Sequence, residues 1–380
     1  MRNFWMITIL VALLVSSANS QTNESTNGVL SVKATDKELL EIRTPNNLAC
    51  EINLMAQSQN TVEVKFEKLA DADSHESQQR YIDLIDIRLD DSAQDPRAVR
   101  LRILTPTKAP WEGKDVNARV ILRITVPNDF KIDSKNSYSD LKLMGPLTGI
   151  VVNNEYGAVS IENVKGETVV KTSYSNIAIS RLEGDIDIQT SYSGIRGRNI
   201  VVGDNPALFE TSYGPIELSD ILGPLEANTS YESIDVKNIQ APRGSIILRT
   251  SYGKIKADSI SGELVCETSY DPIVLSNINF THGLNSIETR YSPINIDLFK
   301  IEDAQLVINN TYNNINMILP KDISARLTLA VDKGGKIHTR GFPIKSLIME
   351  KTRLEGLIGD GRSKVELNVD GIGEINIEGR

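Results

Sequence analysis

Histidine is scarce in this 380-residue chain, present only as His75, His282 and His338. The three fall in different regions, and none has a second ligand at the short spacing a metal site needs. His282 sits in Thr281-His282-Gly283, which reads as a surface turn. Hydrolysis by general acid and base needs two carboxylates facing across one bond. Asp185 and Asp187 share a strand face, but the next turn places Pro206 to Phe209 there, so no carboxylate column forms. Gly356, Gly359 and Gly361 invert the order of a dinucleotide fingerprint with no helix to follow, which predicts a strand-joining turn. Calcium-binding Gly-Gly-x-Gly-x-Asp repeats are absent from the sequence. The two cysteines, Cys50 and Cys266, occupy apolar columns and read as buried free thiols acting as small hydrophobes. These residues predict no enzyme, no metal and no cofactor.

Tyrosine carries the one strong pattern. Tyr138, Tyr156, Tyr174, Tyr192, Tyr213, Tyr231, Tyr252, Tyr270, Tyr291 and Tyr312 recur at spacings of 18 or 21 residues, and only Tyr81 lies outside the series. The core signature is Thr-Ser-Tyr, as at Thr172-Ser173-Tyr174. Three residues after each tyrosine stands an aliphatic residue, from Leu141 to Ile315. Four residues before come Val152, Val170, Ile188, Phe209, Ala227, Leu248, Cys266, Ile287 and Ile308. Eight after, most turns add another, from Val164 to Phe299. The longer turns insert three residues at one place, as in Gly203-Asp204-Asn205 and Ala241-Pro242-Arg243.

A repeat of this length with short β-patterned segments and no helical period predicts an all-β parallel β-helix. Each turn would hold about three short strands separated by Gly, Pro, Asn and Asp. The aliphatic spacing does not follow the six-residue rule of a left-handed hexapeptide helix, and parallel crossovers are right-handed, so the right-handed form is expected. Turns stack at ~4.8 Å, giving a rod of roughly 45 Å for ten registers. Strict alternation along each strand puts the aliphatic residue, the threonine and the tyrosine on the inward face, with the preceding serine in water. The ten tyrosines are therefore expected as a buried structural ladder at the edge of the core. The competing expectation is an exposed aromatic stripe that stacks sugars.

The flanks set compartment and ends. Residues 1–20 pair a basic Arg2 with an apolar run, Phe4 to Val15, and small residues before Gln21, which predicts a cleaved signal peptide. That run is shorter than the ~20 residues of a spanning helix, and no later segment is apolar enough to span. Residues 21–130 read as an N-terminal β-domain that caps the repeats of 131–320, and 321–380 as further turns and a C-terminal cap. Within the N-terminal part, Thr61–Phe66, Tyr81–Leu89 and Ala118–Val126 alternate as strands, and Asp71–Gln79 reads as a polar loop. The formal charge of −9 disfavours nucleic acid and anionic lipid as partners.

At Leu122-Arg123-Ile124-Thr125-Val126-Pro127, and through the strands Tyr156-Gly157-Ala158-Val159-Ser160-Ile161 and Gly184-Asp185-Ile186-Asp187-Ile188, the chain resembles the bacterial putative adhesin family of adhesin-like β-helices. The closing segments Gly356–Gly361 and Gly373–Gly379 are similar to that family's end. The resemblance spans about residues 118–380 and implies a β-helix on an exported envelope protein, without an established activity. Thr-Ser-Tyr stands where many members have a glycine turn. The expectation is thus a non-catalytic, adhesin-like protein of the periplasm or cell surface, with an envelope protein or a glycan as partner. The alternative is a polysaccharide-binding or polysaccharide-degrading β-helix.

Overall fold

The computed structural model describes residues 24–112, 117–332, 334–341 and 343–380. The expected signal peptide and its cleavage site lie outside them. The molecule is nearly all β, with a single described helix, His75–Asp83. No described helix is long and apolar enough to cross a membrane.

Through the repeats, strands stack in two parallel ladders whose offsets match the tyrosine spacing. In one, Val159–Lys165, Ile177–Gly184, Ile195–Val202 and Ile216–Leu222 pair in register, Val159 beside Ile177, Ile195 and Ile216 in turn. In the other, Thr168–Lys171 pairs with Ile186–Gln189, and so on to Gln305–Asn310. Branched aliphatics suit these positions because they fill a pleated surface with little rotamer freedom to lose. Ile177, Ile234, Ile255 and Ile294 are buried, as are Val170, Phe209 and Leu248.

One column explains why the inward spacing runs three, five and eight after tyrosine. Asn163, Arg181, Asn199, Asp220, Asn238, Ser259 and Asn277 all adopt φ between 54° and 62°. Each is seven residues past a tyrosine. A left-handed residue there acts as an extra, bulged position that restarts the alternation, so residue eight points inward rather than out. Asn and Asp tolerate that backbone best, which accounts for most of the column. Where the bulge is missing the register shifts: in the turn of Tyr291, Leu298 is buried beside Ile278, and Phe299, expected inside, is 60% exposed.

The ends depart from this order. Leu39–Arg43 is sandwiched between Ala98–Leu104 and the start of Phe130–Tyr156. Ala49–Gln57 lies between Asn117–Pro127 and the later part of that same strand. At the other terminus Ser363–Val369 lies between Gln305–Asn310 and Ala325–Val331. Ile375–Gly379 fits between Ile315–Leu319 and Ile337–Arg340. Beyond these interleaved layers the pairing turns antiparallel, with Glu24–Lys33 on Thr61–Asp71, Asp86–Asp91 on Ala98–Leu104, and Lys345–Met349 on Arg353–Ile358.

Of the loop and strand expected over 71–89, only the strand's second half forms, within Asp86–Asp91, and a helix takes the place of the rest. The Ser77 amide donates to Ser74 Oγ at 3.2 Å, capping the helix His75–Asp83, and Glu76 sits in its positive first turn. Gln78, Tyr81, Ile82 and Ile85 are buried at helical spacing. Tyr81 packs edge-on against Trp111, ring centres 5.8 Å apart, over the N-terminal end of the core.

Candidate functional site

The Thr-Ser-Tyr segment is a corner, not a strand, and this decides where the tyrosines go. Strand ends at the residue before each threonine, and the next strand starts three residues past the tyrosine. At the corner two successive amides share one acceptor: Ser191 and Tyr192 both donate to the Ser173 carbonyl, at 3.3 and 2.9 Å. Ser212 and Tyr213 repeat this on Ser191. The threonine below stays buried and ties the corner down. Thr211 Oγ1 donates to the Ser193 carbonyl at 3.0 Å, Thr229 to Gly214 at 3.0 Å and Thr268 to Gly253 at 3.0 Å. Asn154 and Asn310 do the same work with amides, at 2.8 and 2.9 Å to Ser139 and Ser292.

Because the pleat breaks after threonine, the tyrosine turns outward. Nine of the ten ladder residues are 44 to 53% exposed, and Tyr156 is half-buried. The expected burial is therefore corrected: alternation held through the threonine and not past it. The rings nonetheless form one continuous stack from Tyr138 to Tyr312. Centre-to-centre distances run from 4.7 Å (Tyr156 to Tyr174) to 5.4 Å (Tyr291 to Tyr312). Most neighbouring planes lie within 9° of parallel, and the Tyr270–Tyr291 step opens to 24°. The spacing is that of the underlying strands. Each interior ring thus has both faces covered by its neighbours and offers the surrounding water its edge. The Tyr156 phenol is held above its ordinary range, first by loss of hydration and then by Tyr174, Glu155 and Tyr138.

The other residues singled out from sequence are not brought together. His282 Nδ1 is 2.9 Å from Thr281 Oγ1, and His338 lies 3.8 Å from Glu374 at the C-terminal end. Asp185 accepts from the backbone and side chain of Asn205 at 3.2 and 3.1 Å, so it braces the inserted turn. Asp187 accepts from Gln189 at 2.7 Å. Among the described residues no group of three His, Cys, Asp or Glu could hold a metal. Gly359 and Gly361 sit at φ 58° and 69° in the turn between Arg353–Ile358 and Ser363–Val369. Cys50 and Cys266 are both buried and free.

Sequence reasoning missed an asparagine column. Asn316 Nδ2 donates to Asn295 Oδ1, and Asn376 Nδ2 to Asn316 Oδ1, each at 2.9 Å. The column floors an open groove of about 890 Å³ near the C-terminal end, with Ile318, His338, Arg340 and Met349 along it. Asn295 and Asn316 each stand four residues past a tyrosine, so half of the column was visible in the repeat. Asn376 was not, because it joins the stack 60 residues out of sequence.

No family model and no curated protein matches the chain. Among solved structures it is similar to a putative cell adhesion protein from Clostridium sporogenes at 9% identity. That match covers 94% of this chain and all of the other, with a TM-score of 0.19. Putative adhesins from Parabacteroides distasonis and Parabacteroides merdae match at 10% identity each. They cover 93% of this chain and 97% and 96% of their own, with TM-scores of 0.19 and 0.17. Superpositions this loose leave fold and role to be argued from the chain's own residues.

Proposed function

We propose that this chain is an exported, non-catalytic, adhesin-like protein. In this reading it is a right-handed parallel β-helix that displays the tyrosine edge to a partner in the cell envelope or beyond it. The single observation that carries this is the stack of ten rings, half exposed along one side and held by a corner repeated nearly unchanged. The corner chemistry supports a display role: buried threonines, or asparagine at Asn154 and Asn310, together with backbone groups hold the corners that carry the rings. The parallel ladders, offset by 18 or 21 residues, support the solenoid.

Exposure by itself favours the second reading, a polysaccharide-binding surface. Sugars stack on aromatic faces, however, and here only the terminal rings, Tyr138 and Tyr312, have a face that no other ladder ring covers. A partner reading this surface meets ring edges and hydroxyls spaced about a strand apart, which suits an extended protein segment better than pyranose rings. The test is a pull-down from the native envelope beside a glycan array, comparing the parent with Tyr213→Ala/Tyr231→Ala/Tyr252→Ala. Capture of an envelope protein that the variant loses while still folded supports display to protein. Glycan binding lost in the same way moves the second reading to first place.

A further inference from the structure

Every sheet that does not close leaves two edges, and the described residues leave four. Among the described residues, Asp86–Asp91 and Glu24–Lys33 are hydrogen-bonded on one side only, at the N-terminal end. Lys345–Met349 and Ile337–Arg340 are likewise paired on one side, at the C-terminal end. Exposed edges template further pairing unless charge, a bulge or a cover blocks them. Charge guards both ends here, but with opposite sign. Residues 71–95 hold eight carboxylates against Arg80 and Arg88. Residues 336–353 hold five lysines and arginines against Glu350.

We propose that copies of this chain join head to tail, the basic C-terminal edge of one receiving the acidic N-terminal edge of the next. Like charge at both ends would repel every end-to-end contact. Opposite charge repels head from head and tail from tail and favours only the mixed contact.

Strand directions agree with a coaxial joint. Asp86–Asp91 runs against the stack, because it is antiparallel to Ala98–Leu104, which runs with it. Lys345–Met349 runs with the stack, being antiparallel to Arg353–Ile358, itself antiparallel to Ala325–Val331. The two edges terminate the same ladder, so a second copy in line offers an antiparallel strand there. On the other ladder, Ile337–Arg340 and Glu24–Lys33 both run with the stack and meet as a parallel pair. The C-terminal edge also exposes Leu347 at 58% and Met349 at 71%, apolar surface that water alone covers in the single chain. Some of the acidic charge is already shared, Asp90 with Arg102 and Asp91 with Lys37, each at 2.9 Å. Lys345 and Lys351 are exposed and form no ion pair with a described residue. A heterologous contact of this kind does not close on itself and builds linear arrays.

Sedimentation velocity on the mature chain tests this. At low ionic strength mass should rise with concentration, and association should weaken about tenfold or more at ~500 mM salt, where charges are screened within a few ångströms. Lys345→Glu/Lys351→Glu and Asp83→Lys/Asp86→Lys, each folded by circular dichroism, should each stay monomeric alone. Mixed one to one they should associate again, since acidic and basic ends then face each other. Should the second pair fail to fold, Asp73→Lys/Glu76→Lys, at and beside the start of the helix, replaces it. A parent chain monomeric at ~100 μM in low salt overturns the proposal, as do variants that assemble like the parent or a mixture that does not recover.

Discussion

In the repeats, neighbours in space are neighbours in sequence, each turn resting on the one before it; at both ends they are not. Ile234 contacts the turns 18 residues before and 21 after, whereas Ile375 pairs with Ile315 and Ile337. The middle is built by local rules repeated, a corner, a bulge and an aliphatic pair. The C-terminal end is built by threading late strands between earlier ones, and the N-terminal end by laying later strands on both sides of an early one. A repeat can carry its own signature, while an interleaved end depends on which distant segments meet.

The sharpest way to probe this difference is to place the same charge in both regions. Ile234→Asp buries an uncompensated carboxylate in the middle and should cost several kcal/mol, lowering the melting temperature of the whole repeat region. Ser230→Asp, at the half-buried corner, should shift it by little. Ile375→Asp should instead open the C-terminal layers alone, seen as protease cleavage within 320–380 while the ring stack keeps its near-ultraviolet circular dichroism. Equal global loss from both isoleucine changes would mean the ends and the middle unfold as one.

Alkaline pH acts on both regions. Burial pushes the Cys50 thiol, in an N-terminal strand, up to about 12, against a Ser139 hydrogen bond that lowers it. Burial first and Glu267 second raise Cys266 in the repeats. A folded-state pKa above the unfolded value means stability is fully present below the unfolded pKa and is lost as pH rises through the folded one. Denaturation midpoints should hold up to about pH 8.5, the unfolded thiol value, and decline above it. Cys50→Ala/Cys266→Ala should flatten the decline until about pH 10, where the raised Tyr156 phenol takes over with the same sign. A midpoint that rises above pH 9 would contradict the buried, protonated thiols.

Tyr231→Ala removes two stacking contacts and a half-exposed ring, so it should cost about 1–2 kcal/mol, less than a buried aromatic. Tyr312→Ala, at the end of the stack, should cost roughly half as much because it has one ring neighbour. Both are read from urea midpoints. The smallest effect is a gain. Ser259 is one of the two bulge residues, with Arg181, that is neither Asn nor Asp. Ser259→Asn should stabilise by about 0.5 kcal/mol through its easier left-handed backbone.

What could be read from the residues follows the same divide. The repeat, its inward columns at Ile177 or Leu248 and the insertion sites were legible because local periodicity encodes them. The outward turn of the tyrosines was not, since alternation assumes an unbroken strand and nothing in Thr-Ser-Tyr alone marks the break. The bulge was legible in principle, from Asn or Asp recurring seven residues past tyrosine. The helix His75–Asp83 left its own signs, a Ser cap and apolar residues at 81, 82 and 85, hidden by a search for period two. The partners of Asn376 and Leu39 left none. Nothing local in a sequence says that a strand will enter a gap left for it long before.

That gap has a consequence for how the chain comes together. A chain released from its N-terminus can lay down the middle turns one upon another as they appear. The outer strand Ala325–Val331, however, rests in part on Ser363–Val369, which emerges over thirty residues later. The C-terminal end must wait open, its hairpin unsupported, until the final residues slide in beneath it. Once seated, that last strand works as a bolt: nothing outside it can peel away in order, because the piece made last lies inside the piece made before it.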